Sequence, residues 1–258
     1  GYDLRFRNDL DTTDLNYEIE SWNTNAASYV WVQVPALTNN GTGYIWARWG
    51  DAANASQLPC TTNGATWDAS FRGVWHMSQT NALDSSTNQN AGTAGGGVTL
   101  TTGMIGSGCS FNGSSGRITV PDKANLDFTA AGLTIEAWVR VPVLPGSTEK
   151  AILRKESQWS LEFLDSTTIR DLVKTAGGTD GWVAGKDRTY SFSTGTWYYR
   201  SFVYNGANYH HDVNGDVGAA QTVSGTIVAQ PTKSLYFAFC EGNSAYLQAD
   251  IDEIRISS

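Results

Sequence analysis

Hydrophobic and polar residues alternate along most of the chain in short runs, and the 3.6-residue period of an amphipathic helix is nearly absent. Alternating runs at 16–22, 28–35 and 43–50, together with the opening apolar positions at 4–6, predict about four strands in the first fifty residues. The alanine-rich stretch 51–56 is tolerant of one helical turn. Residues 57–70 are small and polar, which predicts a linker.

A second and longer series of strands is predicted from residue 71 to the C-terminus. Strands are expected at 73–77, 98–101, 109–112, 117–120, 132–141, 150–154, 158–163, 169–174, 180–184, 189–192, 196–204, 207–213, 217–220, 234–239 and 246–256. Short strands at this spacing are typical of a β-sandwich or jelly roll. Asn214-Gly215 lies between two such runs and predicts a two-residue hairpin turn.

Composition and charge narrow the classes of function. Aromatic residues make up 12% of the chain and charged residues 16%, a mixture that suits half-buried pleated surfaces. The formal net charge of −8 repels phosphate backbones, so nucleic acid is not expected as a partner. No apolar run approaches the ~20 residues needed to cross a bilayer, so no membrane span is expected. Three cysteines are too few, and odd in number, for a disulfide framework.

The order of motifs in the second series carries a family resemblance. The motifs are Gly73-Val74-Trp75-His76-Met77, Ile105-Gly106-Ser107-Gly108-Cys109-Ser110-Phe111-Asn112-Gly113, Arg117-Ile118-Thr119-Val120-Pro121, Leu133-Thr134-Ile135-Glu136-Ala137-Trp138-Val139-Arg140, Gly195-Thr196-Trp197-Tyr198-Tyr199 and Asp250-Ile251-Asp252-Glu253-Ile254-Arg255-Ile256. In this order, residues 71–258 resemble the laminin-G-like, concanavalin A-like jelly-roll family. The fold implied is an all-β concanavalin A-like sandwich preceded by a small N-terminal β unit.

The resemblance also implies a function. We expect a secreted or cell-surface, non-catalytic module for binding or adhesion, with a glycan or a surface protein as its partner. A structural subunit of a cell-surface or filament assembly is the alternative. A polysaccharide-degrading enzyme ranks third. The last strand faintly resembles the Glu-x-Asp-x-x-Glu signature of glycoside hydrolase family 16, but Arg255 stands where the acid/base carboxylate is needed.

Residues 1–56 are similar to a second family, the domain of unknown function 2341. The similarity rests on Asp3-Leu4-Arg5-Phe6, Tyr17-Glu18-Ile19-Glu20-Ser21-Trp22-Asn23 and Tyr29-Val30-Trp31-Val32-Gln33-Val34-Pro35. That family often precedes a laminin-G-like domain in bacterial and archaeal cell-surface proteins, and it normally begins several strands earlier. We therefore expect strands of a neighbouring subunit, or of a cleaved N-terminal fragment, to complete the sheet edge, unless residues 1–50 simply pack against the jelly roll.

The loop 84–90 is the best candidate for binding a metal. It holds several oxygen-bearing side chains within seven residues, and calcium prefers six to eight oxygen ligands. The laminin-G-like resemblance implies a structural calcium held by Asp84 and Asn88 together with Asp252 of the last strand. A loop stabilised by Asx-turns without an ion is the alternative.

Aromatic residues in the middle strands offer candidate ligand contacts, because exposed rings can stack on sugar faces. Trp182 lies in a turn-rich stretch and is expected to be the most exposed, and Tyr190 is a second candidate. Trp138 and Trp197 stand in family core motifs and are expected to be buried in the core.

Overall fold

The computed structural model describes residues 2–37, 41–54, 56–129, 132–176 and 187–258, and these residues form an almost entirely β structure. They divide into two compact units. The first unit comprises residues 1–69 with 85–87, and the second comprises residues 70–84 with 88–258.

The first unit contains five short strands among its described residues: β1 Arg5–Arg7, β2 Asp14–Leu15, β3 Tyr17–Ser21, β4 Tyr29–Val32 and β5 Trp46–Arg48. One sheet has the order β2-β1-β5, and β3 pairs with β4 in an antiparallel hairpin. The four strands predicted by alternation are therefore confirmed, with β2 in addition. Two 3-10 turns follow, at Ala52–Asn54 and Pro59–Thr61.

The core of the first unit is small. Leu4, Tyr17 and Cys60 are buried together, and the Tyr17 hydroxyl donates to the Leu4 carbonyl at 2.5 Å. Trp67 is also buried, and its indole Nε1 donates to Glu18 Oε2 at 2.8 Å. Residues 57–69, expected from their polarity to form a linker, thus belong to the first unit. The polar composition of this segment gave the linker prediction, but a few apolar residues within it complete the small core.

The second unit contains nineteen strands among its described residues. They are β6 Phe71–Trp75, β7 Thr93–Ala94, β8 Val98–Thr102, β9 Ser107–Asn112, β10 Ile118–Val120, β11 Leu133–Arg140, β12 Lys150–Lys155, β13 Trp159–Phe163, β14 Thr168–Ile169, β15 Leu172–Val173, β16 Arg188–Thr189, β17 Trp197–Tyr204, β18 Asn208–Val213, β19 Asp216–Val217, β20 Gln221–Thr222, β21 Leu235–Phe237, β22 Phe239–Cys240, β23 Ala245–Tyr246 and β24 Gln248–Ser257. A third 3-10 turn spans Ala124–Leu126. The predicted strand at 180–184 lies outside the described residues.

Two large antiparallel sheets account for most of these strands. One has the order β16-β14-β13-β12-β21-β10-β7, with β15 paired to β13. The other has the order β19-β18-β17-β11-β24-β9-β8, with β20 paired to β18 and β6 paired to β24. Their apolar faces share one core. This arrangement confirms the predicted all-β sandwich.

Strand β11 shows how the sequence positions this core. Alternate side chains point to opposite faces of a strand, and Leu133, Ile135, Ala137 and Val139 are all buried. Full burial of a branched aliphatic side chain contributes about 1.5–3 kcal/mol each. The intervening residues are half-buried and lie on the outer face of the nine-stranded sheet.

A β-bulge interrupts β24 beside β11. Glu136 pairs with Arg255 and Trp138 pairs with Asp252, so one extra residue is accommodated in β24 between them. Glu253 takes the left-handed conformation there, with φ of 49°. The bulge directs the Asp252 carboxylate to the backbone of the loop before β9, where it accepts the amides of Met104 and Ile105 at 2.8 and 2.9 Å.

The predicted hairpin at Asn214-Gly215 is confirmed. The turn connects β18 to β19 and has φ of 52° at Asn214 and 79° at Gly215. Positive φ at both central residues matches the right-handed twist of the flanking strands, and asparagine followed by glycine tolerates it best.

The three cysteines are free and buried: Cys60 in the first unit, Cys109 and Cys240 in the second. Within the described part of the chain, no helix has the length and apolar character to cross a membrane.

Candidate functional site

A strip of aromatic and charged side chains lies on the outer face of the nine-stranded sheet. It is formed by neighbouring strands in register, with Trp138 opposite Tyr199 and Arg140 opposite both Trp197 and Asp250. We call the following residues the outer strip: Glu136, Trp138, Arg140, Trp197, Tyr199 and Asp250. All six are half-buried, so each is held by neighbours while keeping a solvent-facing surface.

The centre of the outer strip is an aromatic pair. The ring centroids of Trp138 and Tyr199 lie 5.3 Å apart with their planes tilted by 54°. The Tyr199 hydroxyl donates to Glu136 Oε1. Burial and this hydrogen bond raise the pKa of Tyr199 well above its usual value, so the hydroxyl keeps its proton even in mildly alkaline solution. The pair therefore offers two fixed π-surfaces beside a carboxylate.

The other end of the strip is held by a charged pair. Arg140 Nε donates to Asp250 Oδ2 at 2.9 Å, and the Arg140 guanidinium carbon lies 4.8 Å from the Trp197 ring centroid. A guanidinium stacked on an indole and paired with a carboxylate has few remaining conformations. These planar groups thus lie on rigid strands, in positions fixed before any ligand arrives.

The hairpin turn anchors Tyr199 through the backbone. Asn214 Oδ1 accepts the Tyr199 amide at 2.8 Å, and the Asn214 amide donates to the Tyr199 carbonyl at 2.9 Å. The asparagine that forms the turn therefore also holds the start of β17. The outer strip as a whole can stack on the apolar face of a ligand ring and exchange hydrogen bonds with groups at the edge of that ring.

The residues predicted to bind calcium all bind backbone or amide groups of the second unit. Asp84 accepts the Val74 amide at 2.9 Å and the Asn90 amide at 2.6 Å. Asn88 Nδ2 donates to the Phe71 carbonyl at 2.8 Å, and its Oδ1 accepts from Asn125 at 2.9 Å. Asp84 and Asn88 thus both hold the backbone of β6.

Asp252 has different partners. Its Oδ2 accepts the amides of Met104 and Ile105, and its Oδ1 accepts the Glu253 amide at 3.0 Å. The oxygen chemistry of the three residues suits calcium, but each side chain already accepts hydrogen bonds from the protein. Asp84 and Asn88 share one loop, whereas the hydrogen bonds of Asp252 organise another. The calcium site stays a prediction.

The structure describes only one of the two aromatic residues that are predicted to contact a ligand. Trp182 lies outside the described residues. Tyr190 is half-buried and packs on the core beside Phe192, with ring centroids 4.9 Å apart, and the Arg188 guanidinium carbon lies 5.5 Å from its ring centroid. One face of Tyr190 is thus committed to packing, and its role in binding stays a prediction.

The assignment of Trp138 and Trp197 to the core is wrong, because both are half-buried and lie in the outer strip. The strand pattern itself carried the signal that this assignment missed. Trp138 lies on the same face of β11 as Glu136 and Arg140, opposite the face of the buried aliphatic residues. A large apolar residue on the polar face of an alternating strand points away from the core.

Residues 112–258 match the family model described as the concanavalin A-like lectin/glucanases superfamily. The chain belongs to this superfamily. Residues 1–69 match the model of the domain of unknown function 2341, so both resemblances found in the sequence are confirmed. A comparison with curated proteins finds no match.

Solved structures of similar fold include domains of three other proteins. The binding domain of Paraclostridial Mosquitocidal Protein 1 aligns with a TM-score of 0.57 at 14% identity, over 73% of this chain and 48% of that one. Domain 4 of AbnA, a GH43 extracellular arabinanase from Geobacillus stearothermophilus, in complex with arabinotriose, has a TM-score of 0.54 at 16% identity, covering 73% and 92%. The binding domain of botulinum neurotoxin DC in complex with SialylT has a TM-score of 0.53 at 16% identity, covering 73% and 48%. At these identities the likeness shows the fold alone, and the chain spans about half the length of the first and third proteins.

Proposed function

We propose that this protein is a non-catalytic, extracellular module that binds glycans through the outer strip. The observation that carries the proposal is the Trp138–Tyr199 pair, held beside the Arg140–Asp250 ion pair on a rigid sheet face. A sugar ring has an apolar face of C–H groups and a polar rim of hydroxyls. Fixed aromatic rings can stack on the C–H face, and planar carboxylate and guanidinium groups can hydrogen-bond to the hydroxyls.

The similar solved structures support this reading at the level of fold. One of these domains is in complex with arabinotriose and another with SialylT. The binding domain of botulinum neurotoxin DC has also been solved in complex with rat synaptotagmin II, so a protein is the other class of partner found with this fold. The aromatic strip favours the glycan, because its rings alternate with hydrogen-bonding groups.

The carboxylates of the strip support a non-catalytic role. Glycoside hydrolysis needs one carboxyl group to act as acid and another to act as nucleophile or base. In the strip, Glu136 accepts the Tyr199 hydroxyl and Asp250 is paired with Arg140. Each carboxylate is thus engaged with a neighbour in a way that positions rings, which suits recognition.

The test is a glycan array probed with the purified protein, followed by calorimetry on the glycans that bind. We expect Tyr199→Ala and Trp138→Ala each to weaken binding by about tenfold or more, which is about 1.4 kcal/mol. Tyr199→Phe keeps the ring and is expected to stay within about threefold of the parent. Reducing-end release from the bound glycans is expected to stay at the level of the blank.

Val203→Ala is the matched control, because Val203 is half-buried on the same face of β17 and lies outside the strip. The proposal is wrong if Val203→Ala weakens binding as much as Tyr199→Ala. It is also wrong if no glycan binds, or if the protein releases reducing ends from its ligand.

The edge of the first sheet supports a second candidate, assembly with a neighbouring subunit. Strand β5 is the last strand of the order β2-β1-β5, and its residues 46–48 are all exposed. An exposed strand edge can accept a strand from another chain. Light scattering after size-exclusion chromatography tests this candidate, and a concentration-independent monomer would oppose it.

A further inference from the structure

The first unit carries an unusual share of exposed aromatic rings. Among the described residues, every aromatic side chain that is exposed by more than a third lies in this unit: Tyr2, Trp22, Tyr29, Tyr44, Trp46 and Trp49. A large exposed apolar surface on a small domain is typical of a binding site. Trp49 is the most exposed of the six, at 72%.

Trp49 borders a cavity of about 530 Å³ within the first unit. The cavity is also lined by Asp3, Arg5, Arg7, Asp14, Ala47, Arg48, Asp51 and Asn54. Its volume falls in the range of small-molecule sites, about 300–1,000 Å³. The wall combines one large exposed ring with planar groups that can donate and accept hydrogen bonds.

The backbone next to Trp49 is held in place by Asp3. Asp3 Oδ2 accepts the Gly50 amide at 2.5 Å, and this hydrogen bond lowers the pKa of Asp3, so the carboxylate stays charged. Gly50 has φ of 87°, a conformation that a side chain at this position would strain. The backbone that follows Trp49 is therefore held by the first unit itself.

The arginines of the cavity are neutralised within the unit. Arg7 Nε donates to Asp14 Oδ1 at 3.0 Å, and Asp11 accepts from both Arg7 and Arg48. The Arg5 guanidinium donates to backbone carbonyls, including that of Ser56 at 2.9 Å. With three arginines and three aspartates in its wall, the cavity has no net formal charge. A phosphate, a sulfate or a basic peptide therefore finds no excess of opposite charge there.

We propose that this cavity binds a neutral saccharide, with Trp49 stacking on the sugar ring. The side chains of Asp14 and Arg48 remain 64% and 56% exposed and supply hydrogen bonds to hydroxyl groups. The site is built entirely from the first unit. It goes beyond the glycan site proposed for the outer strip and does not depend on it.

The experiment is isothermal titration of the full chain in the Trp138→Ala/Tyr199→Ala background, where the outer strip is disabled. The probes are four neutral trisaccharides (arabinotriose, xylotriose, cellotriose and maltotriose), with a sulfated heparin tetrasaccharide and inorganic phosphate for comparison. At least one neutral trisaccharide is expected to bind, and Trp49→Ala is expected to weaken it by about tenfold or more. Raising the salt from 50 to 300 mM is expected to change the affinity less than about twofold, because no net charge is used.

Trp22→Ala is the matched control, since Trp22 is 49% exposed in the same unit and does not line the cavity. Trp49→Phe is expected to recover most of the affinity. The proposal is overturned if none of the neutral trisaccharides binds, if Trp22→Ala matches Trp49→Ala, or if the sulfated probe or phosphate binds more tightly than every neutral one. Because the strip is disabled in this background, failure here leaves the strip's own test unaffected.

Discussion

Two buried carboxylates of the second unit have pKa values shifted in opposite directions. Burial raises the pKa of Glu162 to about 8, although Arg154 Nη1 donates to its Oε2 at 2.8 Å. Burial also acts against ionisation of Asp171, but Arg200 and then His211 outweigh it and lower the pKa of that residue. Arg200 lies on the inward face of β17, but this strand carries large apolar residues on both faces, so its alternation does not show which face is buried.

Glu162→Gln is expected to stabilise the protein increasingly as the pH rises from about 5 to 8. In this interval the unfolded glutamate is ionised while the folded one keeps its proton, so the parent loses up to about 1.4 kcal/mol per pH unit relative to the variant. Urea unfolding of both proteins at several pH values measures the difference. A variant that is less stable than the parent at pH 8 would show that Glu162 is ionised and paired with Arg154.

Asp171→Asn is expected to destabilise the protein by about 3–5 kcal/mol at pH 7, because it leaves the fully buried Arg200 without its counter-charge. The contribution of Asp171 is present above its unfolded pKa of about 3.9 and is lost as the pH falls below it. Urea unfolding again supplies the measurement. The double variant Asp171→Leu/Arg200→Met is the control and is expected to recover part of the loss. A cost below about 1 kcal/mol for Asp171→Asn would contradict a buried ion pair.

At the scale of elements, alternation predicted most of the strands but not their irregularities. The Asn214-Gly215 turn was predictable because its backbone requires two residues that tolerate positive φ. The bulge at Glu253 was not, because a glutamate carries no such preference and only the pairing of β24 with β11 reveals the extra residue. In the candidate site, the outward position of Trp138 could have been predicted, because it shares a face of β11 with Glu136 and Arg140. Its partner Tyr199 depended on a strand register that sequence does not give.

Asp252→Ala is expected to destabilise the protein by about 2–4 kcal/mol, because the Met104 and Ile105 amides lose their acceptor. The same variant tests the predicted calcium site. If calcium is bound, a chelator lowers the melting temperature of the parent and has no effect on the variant. If Asp252 only holds the loop, the melting temperature of the parent is the same with and without chelator. Differential scanning calorimetry distinguishes these outcomes.

At the scale of the whole molecule, the two units differ in the size of their cores. Counting described residues, the main core cluster of the second unit contains 37 buried hydrophobic side chains, and that of the first contains three. Sequence indicated two units from the change in motif families. It gave residues 57–70 as a linker because the sequence alone does not show that Cys60 and Trp67 are buried.

Native-state hydrogen exchange is expected to show that the first unit opens with a smaller free energy than the second. Fewer buried contacts protect its strands, and local opening follows local burial. Amides of β1 should therefore exchange well before those of β11. Equal protection in the two strands would indicate a single cooperative unit, and slow exchange in β1 would also oppose the need for an added strand at that sheet.

The buried cysteines have a practical consequence. Burial, with a smaller contribution from Asp252, raises the pKa of the Cys109 thiol to about 12, and burial raises that of Cys240 as well, so neither is a thiolate in the native state. Alkylation requires the thiolate and access to it. A timed pulse of an alkylating reagent would therefore add one mass increment, at Cys60, when the first unit opens, and two more when the second unit opens. The number of alkylated cysteines per chain therefore reports the unfolding of each unit separately.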